Sequence, residues 1–246
     1  MNQQIRPGGL IPPVVKNLLI INGLFFLATM ALSSSFGIDL VDYLGLHVFQ
    51  SEYFKPHQFV SYIFMHGGMS HILFNMFALW MFGSNIENFW GGKRFLIYYL
   101  VTGLGAGFIH LGIVEAQLIN LAQSMNPQDI ALVKDEGLAI LESGRNYSDT
   151  LLSKYNILLN TPTVGASGAV FGLLLAFGMM FPNAEILLYF LFPIKAKYFV
   201  IMYGAFELYS GIQNNPGDNV AHFAHLGGML FGFILIKYWQ NRPTRF

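Results

Sequence analysis

Long stretches of this chain contain no Asp, Glu, Lys or Arg. The five longest are close to or above the roughly 18 residues with which a helix crosses a ~30 Å hydrocarbon layer. A soluble amphipathic helix would instead place polar residues along one face every three to four positions. The runs cover residues 17–38, 56–86, 95–114, 155–184 and 220–236, and a shorter sixth run over 198–212 contains only Glu207. The pattern predicts an all-α membrane protein with six transmembrane helices.

The composition agrees with this prediction. Only 11% of the residues are charged, against about 25% in soluble domains. Thirteen Lys and Arg balance thirteen Asp and Glu, so the chain lacks the basic surface that binding of nucleic acid requires. The sequence contains no cysteine, which excludes disulfides, thiolate metal sites, iron–sulfur clusters and a cysteine nucleophile.

Lys and Arg are distributed unevenly between the two sides of the predicted bundle. One side carries Arg6, Lys16, Lys93, Arg94, Lys195, Lys197, Lys237, Arg242 and Arg245, and the other carries Lys55, Lys134, Arg145 and Lys154. Basic residues concentrate on the cytoplasmic side of membrane proteins. The count therefore predicts that both termini and the turn at residues 93–94 are cytoplasmic.

Most of the external charge lies in one segment, residues 116–162, between the third and fourth predicted helices. Within it, residues 127–143 have the spacing of an amphipathic helix that lies on the membrane surface or caps the bundle, although Gly137 weakens this prediction. Its apolar positions are Ile130, Val133, Leu138 and Leu141. A solvated loop is the alternative. No internal repeat or second domain is evident, so residues 1–246 are predicted to form a single membrane domain with an external insertion at about 116–162.

Polar residues inside the predicted helices are the first candidates for function, because they are costly in lipid. With cytoplasmic termini, the second, fourth and sixth helices all enter from the external side. His71, Ser167 and His225 each follow that entry by a few residues. At a rise of about 1.5 Å per residue, they share a depth on the order of 5–10 Å below the outer surface. Three polar groups from distant parts of the chain thus define a candidate site.

The residue types at this depth suit acyl transfer. A serine hydroxyl is an effective nucleophile only with a base in reach, and histidine is the usual base. Ser167 falls in the first turn of its helix, where free backbone N–H groups and the positive end of the dipole suit a developing oxyanion. His71 and Asn75 are four residues apart on one helix face and are candidates for further donors.

Two pairs of glycines predict a close approach of the fourth and sixth helices. Gly168 and Gly172 form one G-x-x-x-G pair, and Gly228 and Gly232 form another. Such pairs let membrane helices pack with their backbones nearly in contact, as a hydrogen bond between Ser and His on two helices requires. Each feature alone also fits ordinary helix packing, and only their coincidence at one depth favours catalysis.

At these positions the sequence resembles the rhomboid family of intramembrane serine proteases. The family patterns H-x-x-x-N, G-x-S-G and A-H-x-x-G-x-x-x-G match residues 71–75, 165–168 and 224–232 in order and orientation. Gly83, Glu87 and Gly91 resemble the family's G-x-x-x-E-x-x-x-G turn. The resemblance covers roughly residues 54–233 and implies a rhomboid-like bundle of six helices.

The resemblance implies a Ser–His dyad without a third acid. Ser167 would be the nucleophile, His225 the general base and then the general acid, and His71, Asn75 and the Ser167 backbone N–H the oxyanion hole. The supporting positions are Gly165, Gly168, Phe171, Gly228 and Gly232. Neither metal nor cofactor is implied. The implied partners are membrane lipid and single-span or polytopic membrane proteins, which the family cleaves near the external end of a transmembrane segment. The fifth helix and the following loop, residues 198–218, would gate substrate entry.

His222 competes with His225 for the role of base, because residues three apart share a helix face. Gly228 and Gly232 stand at +3 and +7 from His225, as the family pattern requires, which assigns His222 a structural or gating role. The chain departs from the family twice. Phe171 stands where a tyrosine often stacks on the catalytic histidine, and His57 and Gln58 replace a Trp-Arg pair before the second helix.

Other classes of protein use similar residues. A transporter or channel would more often show inverted repeats or broken helices in matching halves, and a haem protein would pair His71 with His222 or His225. A metalloprotease would carry H-E-x-x-H, which is absent. The strongest alternative is a catalytically inactive rhomboid-like scaffold that binds transmembrane segments. The simplest predicted location is a bacterial cytoplasmic membrane, with the site opening to the external side.

Overall fold

The computed structural model describes residues 11–188, 192–213 and 220–241 of the chain, and this part is mostly helical. The helices are α1 (Pro13–Phe36), α2 (Leu40–Leu44), α3 (Gln58–Ser61), α4 (Met69–Ala78), α5 (Ser84–Trp90), α6 (Gly92–Ala122), α7 (Pro127–Glu142), α8 (Thr150–Asn160), α9 (Ser167–Met180), α10 (Ala196–Gln213) and α11 (His222–Asn241). A 3₁₀ turn at Tyr62–Phe64 follows α3, and a π-helical turn at Leu79–Gly83 joins α4 to α5. Arg6, Arg242, Arg245 and the end of the predicted gate, residues 214–218, lie outside the described residues.

Helix α9 lies at the centre of the fold. Ten of its fourteen residues are buried, mainly between α6 and α11. The contacts depend on small residues: a Cβ at Gly228 would collide with the Gly168 carbonyl, and a Cβ at Gly172 would lie 2.7 Å from Thr102. The Tyr98 hydroxyl donates to the carbonyl of Gly172 at 2.8 Å. The close packing predicted from the glycine pairs is therefore present.

Two described helices, α1 and α6, are long and apolar enough to cross a membrane, and α9 is a shorter apolar helix. Helix α1 buries only Val15, Leu18 and Asn22. Its outer face exposes large apolar side chains, among them Leu24 (60%) and Leu27 (62%). A soluble protein would cover such a face, so the fold is consistent with a membrane helical bundle.

Two of the uncharged runs do not form continuous helices. The run over 56–86 is interrupted at residues 65–68, where Gly68 is extended and α4 then starts. The run over 155–184 is interrupted between α8 and α9, where Pro162 lacks an N–H donor and Gly165 has a φ of 132°. Hydropathy alone does not mark these breaks, because Gly and Pro interrupt the backbone inside apolar sequence. The observed starts of α4 and α9 agree with the prediction that His71 and Ser167 lie close to the start of their helices.

A short antiparallel hairpin connects α9 to α10 and was not predicted. Strands β1 (Glu185–Leu188) and β2 (Phe192–Lys195) pair with Glu185 opposite Lys195. The backbone N–H of Ala196 then donates to the Ala184 carbonyl at 2.8 Å. The hairpin therefore fixes where α10 begins relative to the end of α9.

The segment predicted to be external, residues 116–162, contains a helical hairpin of α7 and α8, and the amphipathic helix predicted at residues 127–143 forms as α7. Gly137 faces α8, where a Cβ would collide with the Asn156 side chain. The Asn156 amide is fully buried and donates to the carbonyl of Gly137 and to Oδ1 of Asn146, both at 3.0 Å. The glycine that weakened the helix prediction is thus what allows the two helices to meet.

The loop between α2 and α3 is organised by Gln58, which is fully buried. Its Oε1 accepts from the backbone N–H groups of His47 (3.3 Å) and Lys55 (3.1 Å). Its Nε2 donates to the carbonyls of Tyr43 (3.3 Å) and Tyr53 (2.9 Å). Burial lowers the pKa of the neighbouring His47, which favours its neutral form. Gln58, at a position where the resemblance implied an arginine, anchors this loop through four hydrogen bonds.

Glu87, from the G-x-x-x-E-x-x-x-G turn, ties this turn to the start of α1. Its buried carboxylate accepts from the N–H groups of Val14 (3.0 Å) and Val15 (2.8 Å). Helix N-termini leave such donors free and favour negative charge. The carboxylate therefore caps α1, whose own N-cap residue, Pro12, makes no side-chain cap.

Candidate active site

Ser167 is the first residue of α9 and is half-buried. The loop before it is held in place because the N–H of Gly165 donates to the Tyr62 carbonyl at 2.9 Å. The Val170 N–H donates to the carbonyl of Ala166 at 3.0 Å. The N–H groups of the three residues before Val170 thus lie in the first turn, where a helix has no acceptors for them. Ser167 therefore sits beside a set of backbone donors.

His225 lies in the first turn of α11 and is buried against α9. Its imidazole stacks on Phe171, with ring centroids 4.0 Å apart and planes inclined by 6°. Phe171 is one helical turn beyond Ser167, so the stacking brings the histidine alongside the helix that carries the serine. A Cβ at Gly168 would lie 3.4 Å from the carbonyl of Ala224, the residue before His225.

No hydrogen bond joins Ser167 to His225 within the part of the chain that the structure describes. The Nδ1 atom of His225 instead contacts Oε2 of Glu207 at 2.9 Å. Hydrogen bonds between catalytic groups are often long without substrate and tighten when it binds. Ser167 and His225 thus lie on two helices that pack together, and no direct hydrogen bond joins their side chains in the described part of the chain.

His71 approaches the serine from α4. A Cβ at Gly165 would lie 2.8 Å from Nε2 of His71 and 3.5 Å from Oγ of Ser167, so the two atoms flank this glycine. A long hydrogen bond of 3.4 Å runs from the Gly67 N–H to Nδ1 of His71. When Nδ1 accepts, a neutral imidazole carries its proton on Nε2. That tautomer directs an N–H donor towards the region of Ser167.

Asn75 lies one turn after His71 and is buried. Its Nδ2 donates to the backbone carbonyl of His71 at 3.1 Å. An amide nitrogen has two hydrogens, so one stays available for another acceptor.

Gly232, the last supporting position, lets α11 pack on α6, because a Cβ there would collide with the hydroxyl of Tyr98.

The sequence prediction did not include Glu207 in the site. Its carboxylate is buried, with 2% exposure, and Oε2 contacts Nδ1 of both His222 (2.6 Å) and His225 (2.9 Å). Two signals could have indicated it: an ionisable residue inside a predicted membrane helix, and its position on one face with Gly204 and Gly211. His66 also lies beside the site, with its ring centroid 5.1 Å from that of His71.

Together these groups bring a hydroxyl, an imidazole base and several N–H donors to the start of one helix. Nucleophilic attack on a carbonyl needs a nucleophile, a base and donors for the oxyanion. The geometry is compatible with hydrolysis of an ester or amide bond.

Comparison with known proteins identifies the family. The family model of the rhomboid domain matches residues 53–241. The chain therefore belongs to the rhomboid family, which confirms the resemblance found in the motifs.

Curated relatives are similar over most of this chain. Two are the mitochondrial RHOMBOID-like protein 12 of Arabidopsis thaliana (27% identity over 71% of this chain and 44% of the relative) and the mitochondrial Rhomboid protein 1 of Saccharomyces cerevisiae (26% over 74% and 42%). Rhomboid protease GluP of Bacillus subtilis is 43% identical over a shorter stretch, 17% of this chain and 8% of the relative. The chain thus spans less than half the length of these relatives. The broad similarity to mitochondrial proteins counts against the predicted bacterial location.

Proposed function

We propose that this chain is an intramembrane serine endopeptidase that hydrolyses peptide bonds in transmembrane segments of other membrane proteins. The observation that carries the proposal is the gathering of Ser167, His225 and His71 at the start of α9, where the His225 ring stacks on Phe171 and Nε2 of His71 flanks Gly165. Membership of the rhomboid family supports the same activity.

In the proposed reaction, Oγ of Ser167 attacks the scissile carbonyl carbon while Nε2 of His225 accepts the hydroxyl proton. The tetrahedral intermediate collapses as the C–N bond breaks, and the same proton passes from His225 to the leaving amine. Water then attacks the acyl-enzyme with His225 again as base, and the carboxylic acid product and the free serine are released. A base in this role typically contributes 10²- to 10⁴-fold to the rate.

The negative charge on the intermediate requires donors. We assign this role to the backbone N–H of Ser167, the Nε2–H of His71 and the second N–H of the Asn75 amide. Loss of one such donor typically lowers kcat by about 10²- to 10³-fold. The tautomer of His71 inferred from its contact with Gly67 supports its part in this set.

The proposed topology has six membrane-spanning units: α1, α4 with α5, α6, α9, α10 and α11. Both termini would be cytoplasmic, with Ser167 near the external side. Helix α9 has 14 residues and rises only about 21 Å, less than the ~30 Å of hydrocarbon. One end of α9 therefore lies within the membrane, which supports a buried site reached by a transmembrane substrate. Residues 1–246 form one membrane domain in this proposal, surrounded by lipid.

An inactive scaffold that binds transmembrane segments is the second candidate. The observation that favours it is that no hydrogen bond joins Ser167 to His225 among the described residues, so the pair is not assembled for proton transfer in this structure. The chain nevertheless contains both Ser167 and His225, and the His225 ring is held in place by stacking on Phe171. These two features favour the enzyme.

Cleavage of a transmembrane substrate separates the two candidates. The purified chain is placed in liposomes with a single-span substrate, and the products are analysed by mass spectrometry. We expect one cut near the external end of the substrate helix, lost in Ser167→Ala and His225→Ala and retained in His222→Ala. Equal cleavage by wild type and Ser167→Ala, or no cleavage by either, would contradict the protease. If His222→Ala abolished cleavage while His225→Ala retained it, the general base would be His222 and not His225.

A further inference from the structure

Glu207 places a carboxylate inside the bundle, next to the proposed base. It lies on α10 and is 2% exposed. Burial of an unpaired carboxylate is strongly unfavourable, so such a group needs hydrogen-bond donors. Oε2 of Glu207 has them in Nδ1 of His222 and of His225. The carboxylate thus depends on the two histidines, and they in turn are oriented by it.

The contact with Glu207 selects one tautomer of His225. A carboxylate only accepts hydrogen bonds, so Nδ1 of His225 must carry the proton that it donates over 2.9 Å. In a neutral imidazole the other nitrogen, Nε2, is then unprotonated. Nε2 is the atom that must accept the proton of the serine hydroxyl. The arrangement therefore holds His225 in the form that a general base requires.

The orientation of the ring is fixed from two directions. Phe171 on α9 restrains its plane by stacking at 4.0 Å, and Glu207 on α10 restrains its rotation through Nδ1. Gly204 and Gly211 lie on the same face of α10 as Glu207. A Cβ at Gly204 would lie 3.2 Å from Met229, and one at Gly211 would lie 3.2 Å from Phe223. This close contact with α11 brings the carboxylate within reach of the histidine.

The same three side chains could also bind a metal ion, since their ligand atoms lie within 4.8 Å of one another. Ligands of a tetrahedral zinc ion at ~2.0–2.1 Å are about 3.3 Å apart. The contacts of Oε2 with the two histidines, 2.6 and 2.9 Å, are shorter than that separation. They match direct charge-assisted hydrogen bonds, so the geometry favours a proton between the groups over a metal.

We propose that Glu207 is a positioning residue for the base, which extends the Ser167–His225 pair into a Ser–His–Glu triad whose third member is supplied by α10. Glu207 touches neither substrate nor the reacting atoms and acts only through His225. The proposal rests on the protease function proposed above. It differs from the sequence prediction, which expected a dyad without an acid.

Kinetics of Glu207→Gln in liposomes test this role. Gln has the same size but can turn its NH₂ group towards the histidine and no longer requires the Nδ1–H tautomer. We expect kcat to fall by up to about 10⁴-fold, the loss that follows when Asn replaces the acid of a Ser-His-Asp triad, with KM changed less than about twofold. Glu207→Asp keeps the carboxylate and should recover part of kcat. The matched control is Glu115→Gln. The Glu115 carboxylate also accepts two hydrogen bonds, from the Phe49 backbone N–H and the Gln50 side chain, but it lies outside the proposed site. This substitution should therefore leave kcat unchanged.

A second readout does not depend on cleavage. The ¹⁵N NMR spectrum of protein labelled at histidine reports the tautomer of His225, identified by its loss in His225→Asn. We expect the Nδ1–H tautomer alone in wild type and a mixture in Glu207→Gln. The proposal would be overturned if the tautomer of His225 were the same in Glu207→Gln as in wild type. It would also be overturned if wild type cleaved in a Ser167-dependent manner and Glu207→Gln had the same kcat. If wild type does not cleave, the protease function fails, and a Glu207-dependent tautomer would still support the positioning role.

Discussion

At the scale of single residues, Gln58 organises the loop before α3 from a fully buried position. One buried amide satisfies two backbone N–H groups and two carbonyls of the loop before α3. Buried polar groups that lose their partner cost about 1–3 kcal/mol each. This side chain therefore stabilises the loop together with the loop's own backbone hydrogen bonds.

Gln58→Leu should destabilise the loop by about 3 kcal/mol or more, because four backbone groups lose their partner and several of them stay buried. The measurement is limited proteolysis of the loop over residues 45–57, together with the midpoint of thermal unfolding. Gln123→Leu, the same change at an exposed position after α6, is the matched control and should change neither. Equal resistance of Gln58→Leu and wild type to proteolysis would contradict this role.

The sequence indicated some residues of the candidate site and missed others for a physical reason. Ser167, His71 and His225 were indicated because each lies in a motif close to the start of a helix, and the structure places each of them in the first turn of its helix. Glu207 could be singled out as an ionisable residue inside a predicted membrane helix, but its role could not be assigned, because that role depends on how α10 is rotated against α11. Its spacing from Gly204 and Gly211 becomes informative only when the partner helix is known.

At the scale of secondary structure elements, the contact between α9 and α11 determines whether the site can form. A Cβ at Gly228 would collide with the carbonyl of Gly168, the residue after Ser167. The obstacle is backbone and not a flexible side chain, so the helices must separate to accommodate it. That separation would also move His225 away from the serine.

Gly228→Ala should therefore lower stability and activity together. Overpacking of a close contact typically costs about 1–3 kcal/mol, and we expect the upper end because backbone must move. The apparent midpoint of thermal unfolding and the cleavage rate are measured side by side. Gly112→Ala is the matched control: it lies within α6 with nothing inside 4 Å of an added Cβ and should stabilise by about 0.5–1 kcal/mol. A Gly228→Ala protein as stable as wild type would show that α9 and α11 are not in this contact.

Hydropathy predicted where helices lie better than where they break. It located α1, α6, α10 and α11, and the spacing of apolar residues located α7. Hydropathy alone does not show the breaks at residues 65–68 and 161–166, where the chain stays apolar while glycine and proline interrupt the backbone; the motifs of His71 and Ser167 indicated where α4 and α9 begin. The start of α9, and hence the exposure of the serine at a helix N-terminus, results from one of these breaks.

At the scale of the whole molecule, the uneven distribution of Lys and Arg predicts its orientation in the membrane. The absence of cysteine makes this easy to test, because each single cysteine variant carries one thiol. Asn88→Cys lies in α5 at the predicted cytoplasmic side, and Ser148→Cys lies in the external segment; both positions are exposed. In sealed cells or organelles, a membrane-impermeant maleimide should label Ser148→Cys and leave Asn88→Cys unlabelled until the membrane is permeabilised. The reverse pattern, or labelling of both, would contradict the topology.

The central claim is that Ser167 is a nucleophile activated by His225, and covalent labelling tests it most directly. The chain in liposomes is treated with a fluorophosphonate, and the adduct is measured by intact mass and located by peptide mapping. The account predicts one adduct, on Ser167, that is absent in Ser167→Ala and formed far more slowly in His225→Ala. The account would be contradicted if the wild-type protein stayed unmodified, or if the adduct formed as fast in His225→Ala as in wild type.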